Sequence, residues 1–257
     1  MGVAKRGEST SGTSYHMSTL SRFAHRLLDW IASRLKGQRY SLDPALRTGA
    51  LVGIASRRVS DAARGLTLAL RFRAVVFRGP NVRVVNARYV RLGRSVTLAR
   101  GVYIDGLSKN GILIDDNVSI GPYTIIQGTG VLTNLGAGCA IGSGSGIGAF
   151  SFIGCGGGVR VGKNVIMGQY VSFHAEAHNF DEVGVPIKAQ GVTRRGIVIE
   201  DDCWVGAKAT FLDGAYVGRG SVVAAGALVR ERFPEFSVLA GVPARVVRRR
   251  QGEDGRS

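Results

Sequence analysis

Cysteine is scarce in this chain. Cys139, Cys155 and Cys203 are the only three in 257 residues, and an odd, sparse set in a long chain excludes a disulfide framework as the basis of the fold. Long apolar runs are missing too. The N-terminus carries basic residues but no apolar stretch of about 7–15 residues, so no secretory leader is expected. No uncharged apolar run reaches the roughly 20 residues that a spanning helix needs. These absences lead to the expectation of a reduced, cytoplasmic protein, with the inner face of the membrane as a further location. Acidic residues are few, 18 against 34 Lys and Arg, and there are only 6 prolines.

Glycine, by contrast, is abundant. Its 38 occurrences are about twice the usual share of roughly 7%, yet they do not recur at every third position, which excludes collagen. The formal charge is +16, and residues 1–79 hold 14 Lys and Arg against 4 Asp and Glu, a net of +10. Such an imbalance suits an anionic partner, whether nucleic acid, an anionic membrane surface or a phosphorylated small molecule, or simply a soluble basic surface.

The stretch Ile197 to Val229 reads IVIEDDCWVGAKATFLDGAYVGRGSVVAAGALV, and its aliphatics and aromatics recur in steps of six: Ile199, Val205, Phe211, Val217, Val223, Val229. The same step links Leu92, Leu98 and Ile104; Ile114, Ile120 and Ile126; Leu135, Ile141, Ile147 and Ile153; and Val161, Met167 and Phe173. Glycine often follows the large residue, and a small or β-branched one often stands four places on, as at Val118, Cys139, Val165 and Cys203. A period of six is neither that of a helix nor that of an alternating strand. It fits a short flat strand followed by a tight corner, with three such sides closing a coil of about eighteen residues. Coils stacked at the ~4.8 Å strand spacing bury the large residues against one another. Gly, Asn and Asp suit the corners, where the backbone must turn sharply. An ordinary sandwich would not hold this period over six successive units.

Four steps break the register: ten residues from Ile104, nine from Ile126, eight from Ile153 and 26 from Phe173 to Ile199. The first three read as small bulges at corners. The last adds a loop over residues 175–196, and long excursions from a rigid scaffold are where binding and catalysis concentrate.

Residues 80–250 resemble the hexapeptide-repeat acyltransferases, a family built as a left-handed parallel β-helix. Three motifs carry the likeness in order: AHNFDEVGVPIKAQGVTRRGIVIEDDCWVGAKA, SVVAAGALV and LAGVPARVVR. They are similar to the bacterial sugar and polysaccharide O-acetyltransferases, including the maltose/galactoside, colanic-acid and xenobiotic types. The resemblance implies acetyl-CoA as acyl donor, a sugar or glycan acceptor, no metal, and a homotrimer with active sites between subunits. It implies that His178 is the general base that takes the acceptor hydroxyl proton, as suits an imidazole near neutrality. His174, Glu176, Asp181 and Trp204 are second-tier or substrate-side candidates, with Glu176 and Asp181 able to orient an imidazole. Ala207 and Ala225, one coil apart, are implied to meet the pantetheine arm through their backbones. Arg230 and Arg248, with Lys208 and Arg245, are implied at the nucleotide end, where phosphate calls for Arg or Lys. Two departures stand out. Glu231 replaces a Lys common beside Arg230 in sugar acetyltransferases, and Gly148-Ala149-Phe150-Ser151 stands where they often carry an acceptor-binding Asn.

Other readings of the same repeat make different demands. A zinc carbonic anhydrase needs three convergent histidines, and only His174 and His178 lie in the repeat. Nucleic-acid binding would use the basic surface, but no recognised motif is present and the basic residues are not interleaved with aromatics. An N-acyltransferase acting on an amino sugar or nucleotide sugar is the nearest enzymatic alternative. A non-catalytic β-helix interaction protein is the alternative of another class.

Ahead of the repeat, residues 1–17 read as a disordered basic tail, and residues 251–257 as another. Residues 18–79 read as a mainly helical extension. An amphipathic helix is expected over 18–36, with Leu20, Phe23, Leu27, Ile31 and Leu35 on one face. A second is expected over 45–64, with Leu51, Ile54, Ala55, Val59 and Ala62 on one side. Leu66, Leu68, Leu70 and Phe72 alternate with Thr67, Ala69, Arg71 and Arg73, a pattern that suits a strand and is open to a helix. This extension would cap the first coil or touch anionic lipid, and the two roles are compatible.

Overall fold

The structure, a computed structural model, describes residues 19–36, 39, 41–43 and 45–250; the expected tails at 1–17 and 251–257 lie outside them. The chain divides into two compact units, residues 1–57 and 58–257. Helix α1 spans Thr19–Lys36 and helix α2 spans Thr48–Phe72.

The second unit is a three-sided parallel β-helix. Nine, seven and seven strands form its three faces, and apart from the terminal hairpin neighbours within a face come from successive coils. Each strand is two to five residues long. Coil-to-coil register follows the six-step pattern: Val205 pairs with Val223 and Phe211 with Val229, each 18 residues apart. Every large residue expected inside the prism is buried except Leu135. Stacked Phe173 and Phe211 rings, with centroids 4.8 Å apart and planes 15° apart, are buried in this core. The three cysteines are free and buried in this core, as their coil positions predict.

Leu135 is a correction. It lies outside any strand and is half-buried, within a segment that runs from Gly128 to Gly138. The step of nine from Ile126 is therefore not a small bulge. Ile126 is followed by an excursion, and the register resumes only at Ile141, where Cys139–Ile141 pairs with Val159–Val161.

The corners explain the chain's use of glycine. The corner between the second and third faces is a column of residues with positive φ: Gly111, Gly138, Gly158, Gly196 and Gly214. All four register breaks leave the prism at this one corner. The corner between the first and second faces is built differently, because Tyr123, Phe150 and Tyr170 take φ of +57° there. Bulky residues adopt that conformation reluctantly. Here their rings stack at 5.3 and 5.2 Å between centroids, with planes 15° and 9° apart. Such contacts contribute about 0.5–1.5 kcal/mol per pair, which offsets part of the strain. Phe150, within the stretch Gly148-Ala149-Phe150-Ser151, thus serves this aromatic column.

Helix α2 extends through Phe72, so the alternating segment Leu66–Phe72 is helical rather than a strand. Gly65, Leu68 and Phe72 share the face turned toward the coils, and Leu68 and Phe72 pack against the buried core. A Cβ at Gly65 would collide with the Val76 carbonyl, so glycine lets the helix lie directly on the first coil strand, Val76–Arg78. Open coil edges invite unwanted pairing, and this contact covers one. The expected apolar side of α2 holds only in part: Leu51 is buried and Ala55 and Ala62 are half-buried, but Ile54 and Val59 are exposed. At the other end Arg245–Arg249 folds back antiparallel to Ser237–Ala240.

Candidate functional site

The glycine corner between the second and third faces holds a hollow of about 270 Å³. Its walls include Gln127, Phe152, His174, Glu176 and His178, together with Gly154–Gly156. Three consecutive coils and the long loop therefore meet here, and the two histidines of the repeat share one cavity.

His174 ends the strand Ser172–His174. Its Nε2 lies 3.2 Å from Ser172 Oγ, which is 3.5 Å from Thr210 Oγ1 one coil on. The Phe152 ring tilts against the imidazole, with centroids 5.8 Å apart. His174 is thus tethered along the face of the prism.

His178 is held differently. It lies in a two-stranded antiparallel ribbon in which Ala177 faces Thr193 and His178 faces Val192. Asn179 staples the ribbon: its Nδ2 donates to Gln190 O at 3.0 Å, and Thr193 Oγ1 donates to its Oδ1 at 2.8 Å. The Gln190 side chain binds Glu182 and Val185 carbonyls at 2.9 and 2.8 Å, closing the loop on itself. The ribbon fixes the backbone of His178 while its side chain is exposed at the mouth of the hollow. Among the described residues none hydrogen-bonds its ring.

Glu176 does not orient that ring. Its Oε2 accepts from Arg194 Nε at 2.9 Å and Nη2 at 2.8 Å. Gly156 makes room for this pair, because a Cβ there would stand 2.5 Å from the same oxygen. Arg194 also reaches across to the 128–138 excursion, donating from Nη1 to Asn134 Oδ1 at 2.9 Å and to Leu135 O at 3.2 Å. The Arg194 side chain is only 16% exposed. Asp181 lies exposed in the loop beyond the ribbon. Sequence reasoning missed Arg194, Gln127 and Phe152. The only signal for Arg194 is a basic pair, Arg194-Arg195, inside the long loop, and its contact with Asn134 spans 60 residues.

The donor-side candidates sit elsewhere on the prism. Ala207 and Ala225 occupy the corner between the first and second faces, one coil apart, where Gly226 N donates to Ala207 O at 2.9 Å. Lys208 is exposed at the same corner with φ of +61°, and Trp204 is 57% exposed on the adjoining strand. Arg230 and Arg245 converge on Glu231, at 3.6 and 3.4 Å, so the acid that departs from the family pattern joins the two bases. Arg248 stands opposite Val238 in the terminal hairpin. One chain therefore gathers His174, Glu176 and His178 at one edge of the second face, and Ala207 and Ala225 at its other edge in later coils.

Fold and repeat together define a parallel β-helix built on a six-residue repeat, and parts of the chain match known proteins. Residues 196–231 match the family described as bacterial transferase hexapeptide (six repeats). A probable acetyltransferase of Mycobacterium tuberculosis is 36% identical over 93 residues, covering 36% of this chain and 31% of that protein. A 2,3,4,5-tetrahydropyridine-2,6-dicarboxylate N-acetyltransferase of Staphylococcus aureus is 48% identical over 52 residues, covering 20% of this chain and 22% of that one. The matches thus span less than a third of either relative. Among solved structures, AntD of Bacillus cereus, an N-acyltransferase in complex with dTDP and 3-hydroxybutyryl-CoA, aligns at 16% identity with a TM-score of 0.49, covering 73% of this chain and 88% of that one.

Proposed function

We propose that this protein transfers an acetyl group from acetyl-CoA to a sugar hydroxyl, in a cell-surface polysaccharide or its precursor. The carrying observation is the hollow that brings His178 and His174 together beside a salt-bridged Glu176. His178 removes the hydroxyl proton as the oxygen attacks the thioester carbonyl, and a backbone N–H at the coil corner stabilises the oxyanion. The C–S bond then breaks and the imidazolium returns its proton to the departing thiolate, which gives an ester and the free thiol of coenzyme A. Ala207 and Ala225 meet the pantetheine arm through backbone groups, and Arg230, Arg245, Arg248 and Lys208 serve the nucleotide end. The acetyltransferase relative from Mycobacterium tuberculosis supports the acyl group.

The two halves of this site lie at opposite edges of one face, so a complete site forms between neighbouring copies. The long loop favours the same arrangement, since Phe180 is 68% exposed and Val183 fully so. We place the protein in a homotrimer, whose cyclic symmetry repeats one shared site at each interface.

Thioester consumption across a panel of sugars, amino sugars and nucleotide sugars tests the reading, with turnover expected on hydroxyl acceptors. Turnover with amine acceptors alone would replace it with N-acylation, the second reading, which the staphylococcal N-acetyltransferase relative favours. No turnover with any acceptor, in wild type and His178→Ala alike, would leave the non-catalytic interaction protein.

A further inference from the structure

Helix α1 has two unlike sides. Phe23, Leu27, Trp30 and Ile31 lie on one side at helical spacing and are 66%, 45%, 60% and 37% exposed. On the other side His25 is buried, and Asp29, the one acid of the helix, accepts from the Leu42 N–H at 2.7 Å. Arg22 and Arg26 are exposed along one edge of the apolar stripe, and Arg34 lies within its arc. The Arg34 guanidinium stands over the Trp30 ring, 5.6 Å from its centroid. The exposed side of α1 is thus apolar, aromatic and cationic, with the only carboxylate of the helix engaged elsewhere.

We propose that α1 docks in the plane of an anionic bilayer surface, with Phe23, Leu27, Trp30 and Ile31 at the boundary between headgroups and acyl chains and Arg22, Arg26 and Arg34 against lipid phosphates. Charge decides the occupant. A helix of this make-up binds through buried apolar area plus attraction to anionic lipid, and Arg and Trp are suited to an interface where one end is apolar and the other wet. Neither helix is long and apolar enough to cross the membrane, so the helix lies on the surface. The inference is independent of the acyl-transfer reading, since it uses no residue of the hollow.

The test is flotation of the full chain with vesicles of phosphatidylglycerol and phosphatidylcholine in equal parts, beside vesicles of phosphatidylcholine alone. Wild type should float with the anionic vesicles and be released by salt. Changing Arg22, Arg26 and Arg34 to Gln should weaken partitioning about fivefold per arginine. Phe23→Glu with Trp30→Glu should abolish it, and both sites are exposed enough for the variant to fold. In a Trp204→Phe background, Trp30 emission should shift to the blue on adding anionic vesicles. Equal binding to both vesicle types, no binding to either, or undiminished binding of the Phe23→Glu, Trp30→Glu variant would overturn the proposal. A fall in oligomeric mass for that variant without vesicles, with no vesicle binding by wild type, would assign the stripe to contact between copies instead.

Discussion

Arg194 donates from Nε and Nη2 to Glu176 Oε2 at 2.9 and 2.8 Å, and the same guanidinium holds Asn134 on a separate excursion 60 residues away. One side chain therefore ties together two loops that leave the prism at the same corner and flank the hollow. Arg194→Ala should loosen both and cost about 1–2 kcal/mol in unfolding free energy, because Glu176 is partly solvated and the pair is screened. Arg194→Lys keeps the charge but loses the fork, and should recover stability better than acceptor KM. Arg194→Ala with unchanged KM and melting temperature would remove this residue from its positioning role.

His178→Ala should lower turnover about 10²–10⁴-fold, the range for a lost general base, with an unaltered circular dichroism spectrum. His174→Ala, whose imidazole is tethered to Ser172, should cost less. The opposite order would reassign the base to His174.

Two glycines two residues apart should behave in opposite ways. A Cβ at Gly148 would stand 2.1 Å from the Gly168 carbonyl oxygen, whereas one at Gly146 would meet nothing within 4 Å. Gly148→Ala should destabilise by about 1–3 kcal/mol through overpacking against backbone. Gly146→Ala should be neutral or stabilising by about 0.4–1 kcal/mol, because it restricts the unfolded chain. Denaturant unfolding of the two variants decides the matter.

Burial pushes the Cys203 thiol up to about 11, against the pull of hydrogen bonds from the Ser221 and Gly220 backbone. The folded protein then holds this proton more tightly than the unfolded chain, whose thiol titrates near 9. The resulting stability is full below about pH 9 and is lost as pH rises toward 11. Cys203→Ala should flatten the alkaline fall in unfolding free energy. In the native wild type near neutrality, a thiol-specific disulfide reagent should leave Cys203 unmodified.

Light scattering should report about three times 27.2 kDa for wild type. Phe180→Asp with Val183→Asp, on the exposed loop, should lower both the mass and the turnover if the loop seats on a neighbouring copy. A fully active monomer would defeat the shared-site arrangement.

The sequence by itself determined the prism. A large apolar residue every sixth position is buried by three-sided coils and not by an ordinary sandwich, so faces, coil length and the buried cysteines were legible in the sequence. The resemblance singled out His178 and the loop that carries it. Leu135 shows where the pattern misleads: it stands six residues before Ile141 by chance, and periodicity does not separate a coil from an excursion of similar length. Only the tertiary structure decided that the four register breaks share one glycine corner, because that depends on which face each coil has reached. It alone decided that Tyr123, Phe150 and Tyr170 hold left-handed corners, since their rings support one another only when coils stack. The pairing of Glu176 with Arg194 rather than with His178 was likewise beyond the sequence, because the space for it comes from a missing Cβ at Gly156 on another coil.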